Sequence, residues 1–493
     1  MRRLSLSPLR GESYNPATMR FHPPSTLLRA LPSLALSIGM ALSAGCSKDA
    51  PGTEPRVGSP ESAAAELPRL FVFGVDGATW DVIGPLINEG RMPHFARLCQ
   101  TGRYSRLATT KPNLSPILWT TIATGEPAEV HGIEGFTVPV PDSDEVTLPS
   151  SNLRKVPAFW NILSDAGQTV GVVNWWVSFP AEPINGFVIS DRANFVRKTT
   201  YQEILNVKES GPESTAQEIY PRELYLGVAE HVHPSTEIDR ALVERIVDLP
   251  DELFDELQAQ EKFSRDNMLS VLKFALLQDQ SMLAAALHAL EAYEPEVMVF
   301  YTSGLDAAEH HFWKYHEPEK FKLPPDPDEV AIYGQVIRNY YVYVDDLLGE
   351  MLAAYGDEEI HVMIVSDHGH VAYEDYGTEH ATGYGKIASG WHGYAPPGIF
   401  ALSGPGIVPG NDLPGASIFD VAPTLLALRN VPVAEDVRGR VLEAAFAPTL
   451  LSERPVRTVP SYRHLQKAGS SAPVQSDADE ELLEKLRALG YIE

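Results

Sequence analysis

From Leu70 onward the chain alternates between short apolar runs and longer stretches in which apolar residues recur every three or four positions. The runs are LFVFGVDGATW, TVGVVNWW near Val170, EVMVFYTSGLD ending at Asp306, HVMIVSDHGH ending at His370, and PGIFALSGPGI near Phe400. They are continuous rather than alternating, and a strand needs no polar side when both its faces are covered. They therefore predict strands of a buried, parallel sheet. Between them, residues 93–101 predict a helix that opens on Pro93 and stops before Gly102. Residues 329–354 predict another, with Val336, Tyr340, Val344, Leu347 and Met351 on one stripe. Such alternation predicts a doubly wound α/β fold with helices on both faces of a mostly parallel sheet. Ligands in these sheets gather beyond the carboxyl ends of the strands. Asp76, Asp306, Asp367 and His368 all fall at such ends.

Residues 180–290 interrupt the alternation. They are acidic, contain the helical stretch NMLSVLKFALLQDQSMLAAALHAL, and predict a helical cap or insertion that shapes a substrate pocket. After Ala445 the pattern turns irregular, closing on a short helix whose apolar face carries Leu482, Leu483, Leu486 and Leu489. The catalytic domain is accordingly expected over 68–445, with a tail over 446–493.

The N-terminal pattern is different. An apolar run, LPSLALSIGMALSAG, follows Arg20 and Arg29 and is too short to span a bilayer comfortably, so 1–45 reads as a signal peptide with an over-long start before Met19. Its ending, LSAGC, resembles a bacterial lipobox with Cys46 as the lipidated residue, although Ser43 stands where an aliphatic is usual. Residues 46–67 are polar and rich in Pro and Ser, as a flexible tether would be. The expectation is an exported, lipid-attached protein facing the periplasm or anchored at the outer membrane, which Ser47 favours; a plain cleaved signal or a membrane anchor is the alternative.

Composition narrows the chemistry. The formal net charge over 493 residues is -27, with no long basic block, which argues against nucleic acid as a partner. Bound cations can still make an acidic protein receptive to anions. Two cysteines, Cys46 and Cys99, exclude a disulfide framework and a Cys-rich zinc ribbon; Cys99, in a helical stretch, reads as a small buried hydrophobe.

Asp306 and His310 stand one helical turn apart and can face the same way. Asp367 and His368 adjoin after a strand, Asp76 ends another, and His392 lies in the loop GWHGY. Three carboxylates and three imidazoles suit Zn²⁺ or Mn²⁺, and six groups can supply two sites, a clamp for displacement at phosphorus. His311, His316, His370 and His380 are read as outside this set. Ser115, in KPNLSPILWTTIATG, is the candidate nucleophile. It sits at a helix start where amide groups and the helix dipole favour a phosphate oxygen, and a metal would acidify its hydroxyl. An N-cap role is also open to it, with Thr109, Thr110, Thr120 and Thr121 as further hydroxyls.

Taken together, VDGATW, MPHFARL, SPILWTTIATG, VHGI at His131, DAAEHHFW, SDHG, WHGYAPPGIFALSGPGI and DVAPTLL near Asp420 resemble the alkaline phosphatase superfamily. The resemblance is closest to its type I phosphodiesterase/nucleotide pyrophosphatase-like branch and runs from about Leu70 to Leu428. It implies an alkaline-phosphatase-like fold, with one zinc held by Asp306, His310 and His392. A second is implied at Asp76, Asp367 and His368, with Ser115 reaching toward it and becoming phosphorylated during turnover. In two places the sequence departs from the branch: Ser115 replaces the usual Thr, and Phe136 replaces an Asn that helps bind phosphate, for which Asn113 and Asn174 are substitutes.

The expected activity is hydrolysis of phosphate esters, diesters above all, on a small-molecule or lipid-type substrate. A phosphotransferase or mutase would share the covalent intermediate, and a lipid-tethered binding protein would share the fold. A sulfatase is disfavoured, since Pro116 directly follows Ser115 and position 118 is Leu rather than Arg.

Overall fold

The computed structural model describes residues 67–193, 217–232, 237–261, 263–264, 266–381, 383–386, 388–394, 396–466, 472–476, 479–480 and 482–483. Cys46, the signal run and the tether lie outside the described residues. So do Leu486, Leu489 and parts of the 180–290 stretch.

Each of the apolar runs contains a strand of one eight-stranded sheet. The strands are β1 (Leu70–Val75), β2 (Arg103–Leu107), β3 (Val170–Val173), β4 (Gly186–Ile189), β5 (Ile219–Tyr220), β6 (Val297–Thr302), β7 (His361–Val365) and β8 (Gly398–Ser403). They lie side by side in the order β2-β8-β7-β1-β6-β3-β4-β5. The five central strands run parallel, β1 between β6 and β7, and β3 between β6 and β4. Along β1, Phe71, Phe73 and Val75 enter one hydrophobic core while Leu70 and Val72 enter the other. Both faces are dry, which is why the run carries no polar alternation.

Two findings differ from the sequence reading. The Phe400 run, β8, is antiparallel to β7 and to β2; burial on both faces gives the same residue pattern whichever way a strand points. Part of the 180–290 stretch joins the sheet as β4 and β5, which are too short for a period to be read. Its helix, α4 (Met268–Tyr293), is N-capped by Asn267, whose side chain accepts from the Leu269 and Ser270 amides.

Helices cover both faces. With α4, α5 (Gly304–His316) and α6 (Val336–Ala353) feed the core on the Phe71 side. On the Leu70 side, α3 (Ser115–Thr124) packs with a helix over Val421–Leu428. The helix expected over 329–354 is two, Pro327–Tyr333 and α6, with the break at Gly334 and Gln335. The helix expected from Pro93 is α2 (Pro93–Thr101), preceded by α1 (Trp80–Asn88). Cys99 on α2 is only half-buried, packed against the core. In the tail, Asp479 binds Arg192 and Thr147, and Leu483 packs with Phe136 and Leu148.

Candidate metal centre and active site

The first candidate residue, Asp76, follows β1 directly. Gly77 comes next with φ +80, and a Cβ there would meet Glu309 Oε2 at 2.6 Å. Only glycine combines that left-handed turn with so close an approach. Asp306 lies in the first turn of α5, beyond the end of β6 rather than on it, and His310 lies one turn later. Asp279 of α4 fixes the start of α5, accepting from Thr302 Oγ1, Tyr340 OH (2.8 Å) and the Gly304 amide (3.3 Å). Asp367 and His368 follow β7. His392 follows the two-residue strand Gly390–Trp391, which pairs with Val371–Ala372 and so folds this segment back beside His368.

The six predicted donors fall into two groups. Asp306, His310 and His392 come together with His370, and Asp76 comes together with Asp367 and His368. Within each group the donor atoms lie within 4.8 Å of one another. His310 Nε2 is 3.4 Å from Asp306 Oδ1, and His368 Nε2 is 3.6 Å from Asp76 Oδ1 and 3.4 Å from Asp367 Oδ2. A tetrahedron of donors ~2.0–2.1 Å from a zinc ion has edges of about 3.3–3.4 Å. Asp76 Oδ1, Asp367 Oδ2 and His368 Nε2 are buried and receive no hydrogen bond, as donors to a cation would be. The residues thus fit divalent ions. The groups share a wall, with the rings of His368 and His392 stacked at 4.4 Å.

The electrostatics agree. Burial, then the charge of Asp306, pushes Asp76 up to about 7, against hydrogen bonds from Tyr301 OH (2.5 Å) and Trp119 Nε1 (3.1 Å). Burial and then Asp76 hold Asp367 well above the carboxylate range. Burial would raise Asp306 as well, but His310, His370 and His368 together hold it below its ordinary value. Burial also lowers His368 to about 4 and pushes His370 and His392 well down. Neutral imidazoles beside mutually repelling carboxylates are the state a divalent cation relieves.

Ser115 is the first residue of α3, one position inside the cap. Leu114 is the N-cap, and no side chain caps the helix. The Ser115 hydroxyl is therefore not spent as a cap. Thr120 and Thr121 are engaged elsewhere, with Pro116 O and His131. Ser115 opens onto a cleft together with Asp76, Asp306, Tyr301 and Asn174. Val271 and Ala275 of α4, with Trp176 and Leu148, form an apolar wall. Arg192 also reaches the cleft, but it is engaged by Asp191 (3.2 Å) and Asp479 (2.8 Å).

Phe136 lies buried against Trp176, at 5.7 Å between ring centres, and offers no polar group. Asn113 Nδ2 donates to His392 O (2.9 Å), whereas Asn174, in a left-handed conformation, donates to Tyr301 O (3.2 Å) from within the cleft. His131 has a structural place: its Nδ1 accepts from the Ile133 amide, which leaves Nε2–H for Thr121 Oγ1. Asp420 likewise closes a capping box with Ser417. Of the histidines set aside, His380 is exposed, His311 and His316 lie on α5, and His370 stands inside the first donor group. Sequence reasoning missed Tyr301, Trp119, Asp279 and Glu309 and discounted His370.

A family model described as type I phosphodiesterase / nucleotide pyrophosphatase matches residues 70–388. Among solved structures, the chain is similar to wild-type alkaline phosphatase PafA at 12% identity and TM-score 0.49, over 78% of this chain and 100% of that one. It is similar to murine ectonucleotide pyrophosphatase/phosphodiesterase 5 at 12% identity and TM-score 0.43, over 74% and 95%. It is also similar to phosphonoacetate hydrolase from Sinorhizobium meliloti 1021 at 17% identity and TM-score 0.32, over 62% and 57%. No curated protein sequence matches it.

Proposed function

The chain belongs to the type I phosphodiesterase/nucleotide pyrophosphatase family of phosphoester hydrolases, and from that premise we propose that it cleaves phosphodiesters through a phosphoserine on Ser115. Asp306, His310 and His392 would hold one zinc ion, and Asp76, Asp367 and His368 the other. Ions at these positions supply positive charge to the phosphoryl oxygens and acidify a nearby hydroxyl.

The chain's own residues do the rest. Ser115 Oγ gives up its proton and attacks phosphorus. The bond from phosphorus to the departing ester oxygen breaks, and that oxygen leaves as an alcohol after taking a proton. Water then attacks the phosphoserine, releasing the phosphate product and restoring the hydroxyl. The positive end of the α3 dipole lies toward the developing negative charge, although Pro116 has no amide hydrogen and the Ile117 and Leu118 amides donate to Leu114 O. Tyr301 and Trp119 hold one Asp76 oxygen, leaving Oδ1 turned to His368. The apolar wall from α4 and Trp176 suits an ester with a non-polar group, a lipid-type substrate included. Export with lipidation at Cys46 completes the proposal.

The observation that carries this reading is that Ser115 opens onto the same cleft as one carboxylate from each donor group, Asp76 and Asp306. The test uses zinc-loaded protein and compares turnover of an aryl phosphate diester, a phosphate monoester and a sulfate ester, for wild type and Ser115→Ala. Preference for the diester, lost by a factor on the order of 10³ or more in Ser115→Ala, supports the reading. A Ser115→Ala protein that retains wild-type turnover removes it.

A further inference from the structure

Resting on that two-ion reading, we propose that His370 is a fourth side-chain ligand of the first ion, backed by Glu309. Three donor atoms define one face of a cage. His370 Nε2 is 3.3 Å from His310 Nε2 and 3.4 Å from Asp306 Oδ1, and His310 Nε2 is 3.4 Å from the same oxygen. All three edges match those of a zinc tetrahedron, about 3.3–3.4 Å. His392, the remaining member of the group, supplies the fourth corner.

The arrangement behind these atoms indicates which ring nitrogens turn inward. His310 Nδ1 lies 2.9 Å from Gly390 O, and a carbonyl can only accept, so Nδ1 donates there and Nε2 is the ring nitrogen turned to Asp306 and His370. His370 Nδ1 lies 2.9 Å from Glu309 Oε2. The other Glu309 oxygen accepts from Tyr341 OH at 2.8 Å, and Tyr341 OH in turn accepts from the Thr79 amide at 3.1 Å. The contact of His370 with Glu309 is one of proximity, since neither His370 Nδ1 nor Glu309 Oε2 has a hydrogen bond, and it leaves His370 Nε2 turned toward His310 and Asp306. Two imidazole Nε2 atoms and a carboxylate oxygen converge in a buried space, an arrangement that a cation satisfies. A carboxylate behind a ligating histidine is the usual way of fixing its tautomer and ring orientation. Gly77 makes room for the pair, since a Cβ there would meet Glu309 Oε2 at 2.6 Å and His370 Cε1 at 3.2 Å.

Three imidazoles and one carboxylate would hold the first ion with four side chains, and zinc can still expand its coordination when substrate binds. The second group offers three side chains. The first ion is therefore expected to leave slowly and the second quickly.

The test follows loss of zinc from the full-length protein to an excess of chelator. Wild type should release two ions in a fast and a slow phase. His370→Phe should accelerate the slow phase by about 100-fold, and Glu309→Gln by about 10-fold, with the fast phase unchanged. A second variant reads ligation directly: cobalt-loaded His370→Cys should gain a sulfur-to-cobalt charge-transfer band in the near ultraviolet. Wild type, which carries the same Cys99, should lack that band. Two ions leaving His370→Phe at wild-type rates, with no band in His370→Cys, overturn the inference. Failure of the two-ion reading itself shows in the wild type, as fewer than two bound ions.

Discussion

The two donor groups sit side by side yet are built on opposite electrostatic plans. The second, Asp76, Asp367 and His368, comes from the ends of two neighbouring parallel strands, β1 and β7, and sets two carboxylates against one imidazole. Its carboxylates are each pushed upward by burial and by a like charge, Asp76 by Asp306 and Asp367 by Asp76. The first group sets one carboxylate, Asp306, among three imidazoles and comes from α5 and the segment between β7 and β8. There the imidazoles hold Asp306 ionised in spite of burial. One group is assembled before any ion arrives, while the other is held against its own repulsion until one does. The contrast implies a division of labour, with the first group a fixed anchor and the second the one on which turnover depends.

The largest expected effect is therefore in the second group. Asp367→Asn keeps the shape but removes a ligand charge. It should lower ester turnover on the order of 10³-fold or more while one zinc per chain, that of the first group, remains bound. Metal analysis alongside kcat checks both parts. Turnover within tenfold of wild type with two ions still bound would break the contrast.

How far this contrast could be read in the sequence depended on where each residue acts. Asp76, Asp367 and His368 follow strands, and strand ends in a parallel sheet point to one edge, so fold rule and residue type converged. Asp306 and His310 were legible as a pair one helical turn apart. Asp279, Tyr301 and Glu309 were not, because each acts through a partner far along the chain: Asp279 through Tyr340, Tyr301 through Asp76, and Glu309 through Tyr341. Alone they look like core residues of α4, β6 and α5. His370 did carry a signal. Side chains two positions apart share a side where the chain is extended, and the rings of His368 and His370 lie 5.4 Å apart. The antiparallel β8 left no such trace, since burial on both faces erases strand direction.

A smaller effect sharpens the comparison from behind Asp76. Tyr301→Phe deletes only the hydroxyl that donates to Asp76 Oδ2 at 2.5 Å. It should weaken the second ion by 10–100-fold, the usual cost of losing a partner behind a ligand, and leave the first unchanged. Competition against a zinc indicator resolves the two affinities. Equal weakening of both ions would mean that the groups act as one unit.

The smallest effect separates acid sensitivity of the scaffold from that of the metal groups. His131 is also buried and neutral, but both of its ring nitrogens are engaged inside the protein, by the Ile133 amide and by Thr121. Burial, followed by the nearby Arg154 charge, lowers it to about 3 from an ordinary 6.5. A histidine depressed in the folded state takes up its proton more readily when unfolded. Its stabilising contribution is thus fully present above about pH 6.5 and declines as pH falls from there toward 3. One unit below 6.5 the cost is about 1.4 kcal/mol. On going from pH 7 to 5.5, metal-free wild type should lose about 1 kcal/mol more unfolding free energy than His131→Gln, by denaturant titration of both. The difference between the two proteins cancels the titration of His368, His370 and His392, which both retain. Equal losses would mean that the scaffold's acid sensitivity lies in the donor groups alone, and His131 would no longer serve as the ion-independent reference for them.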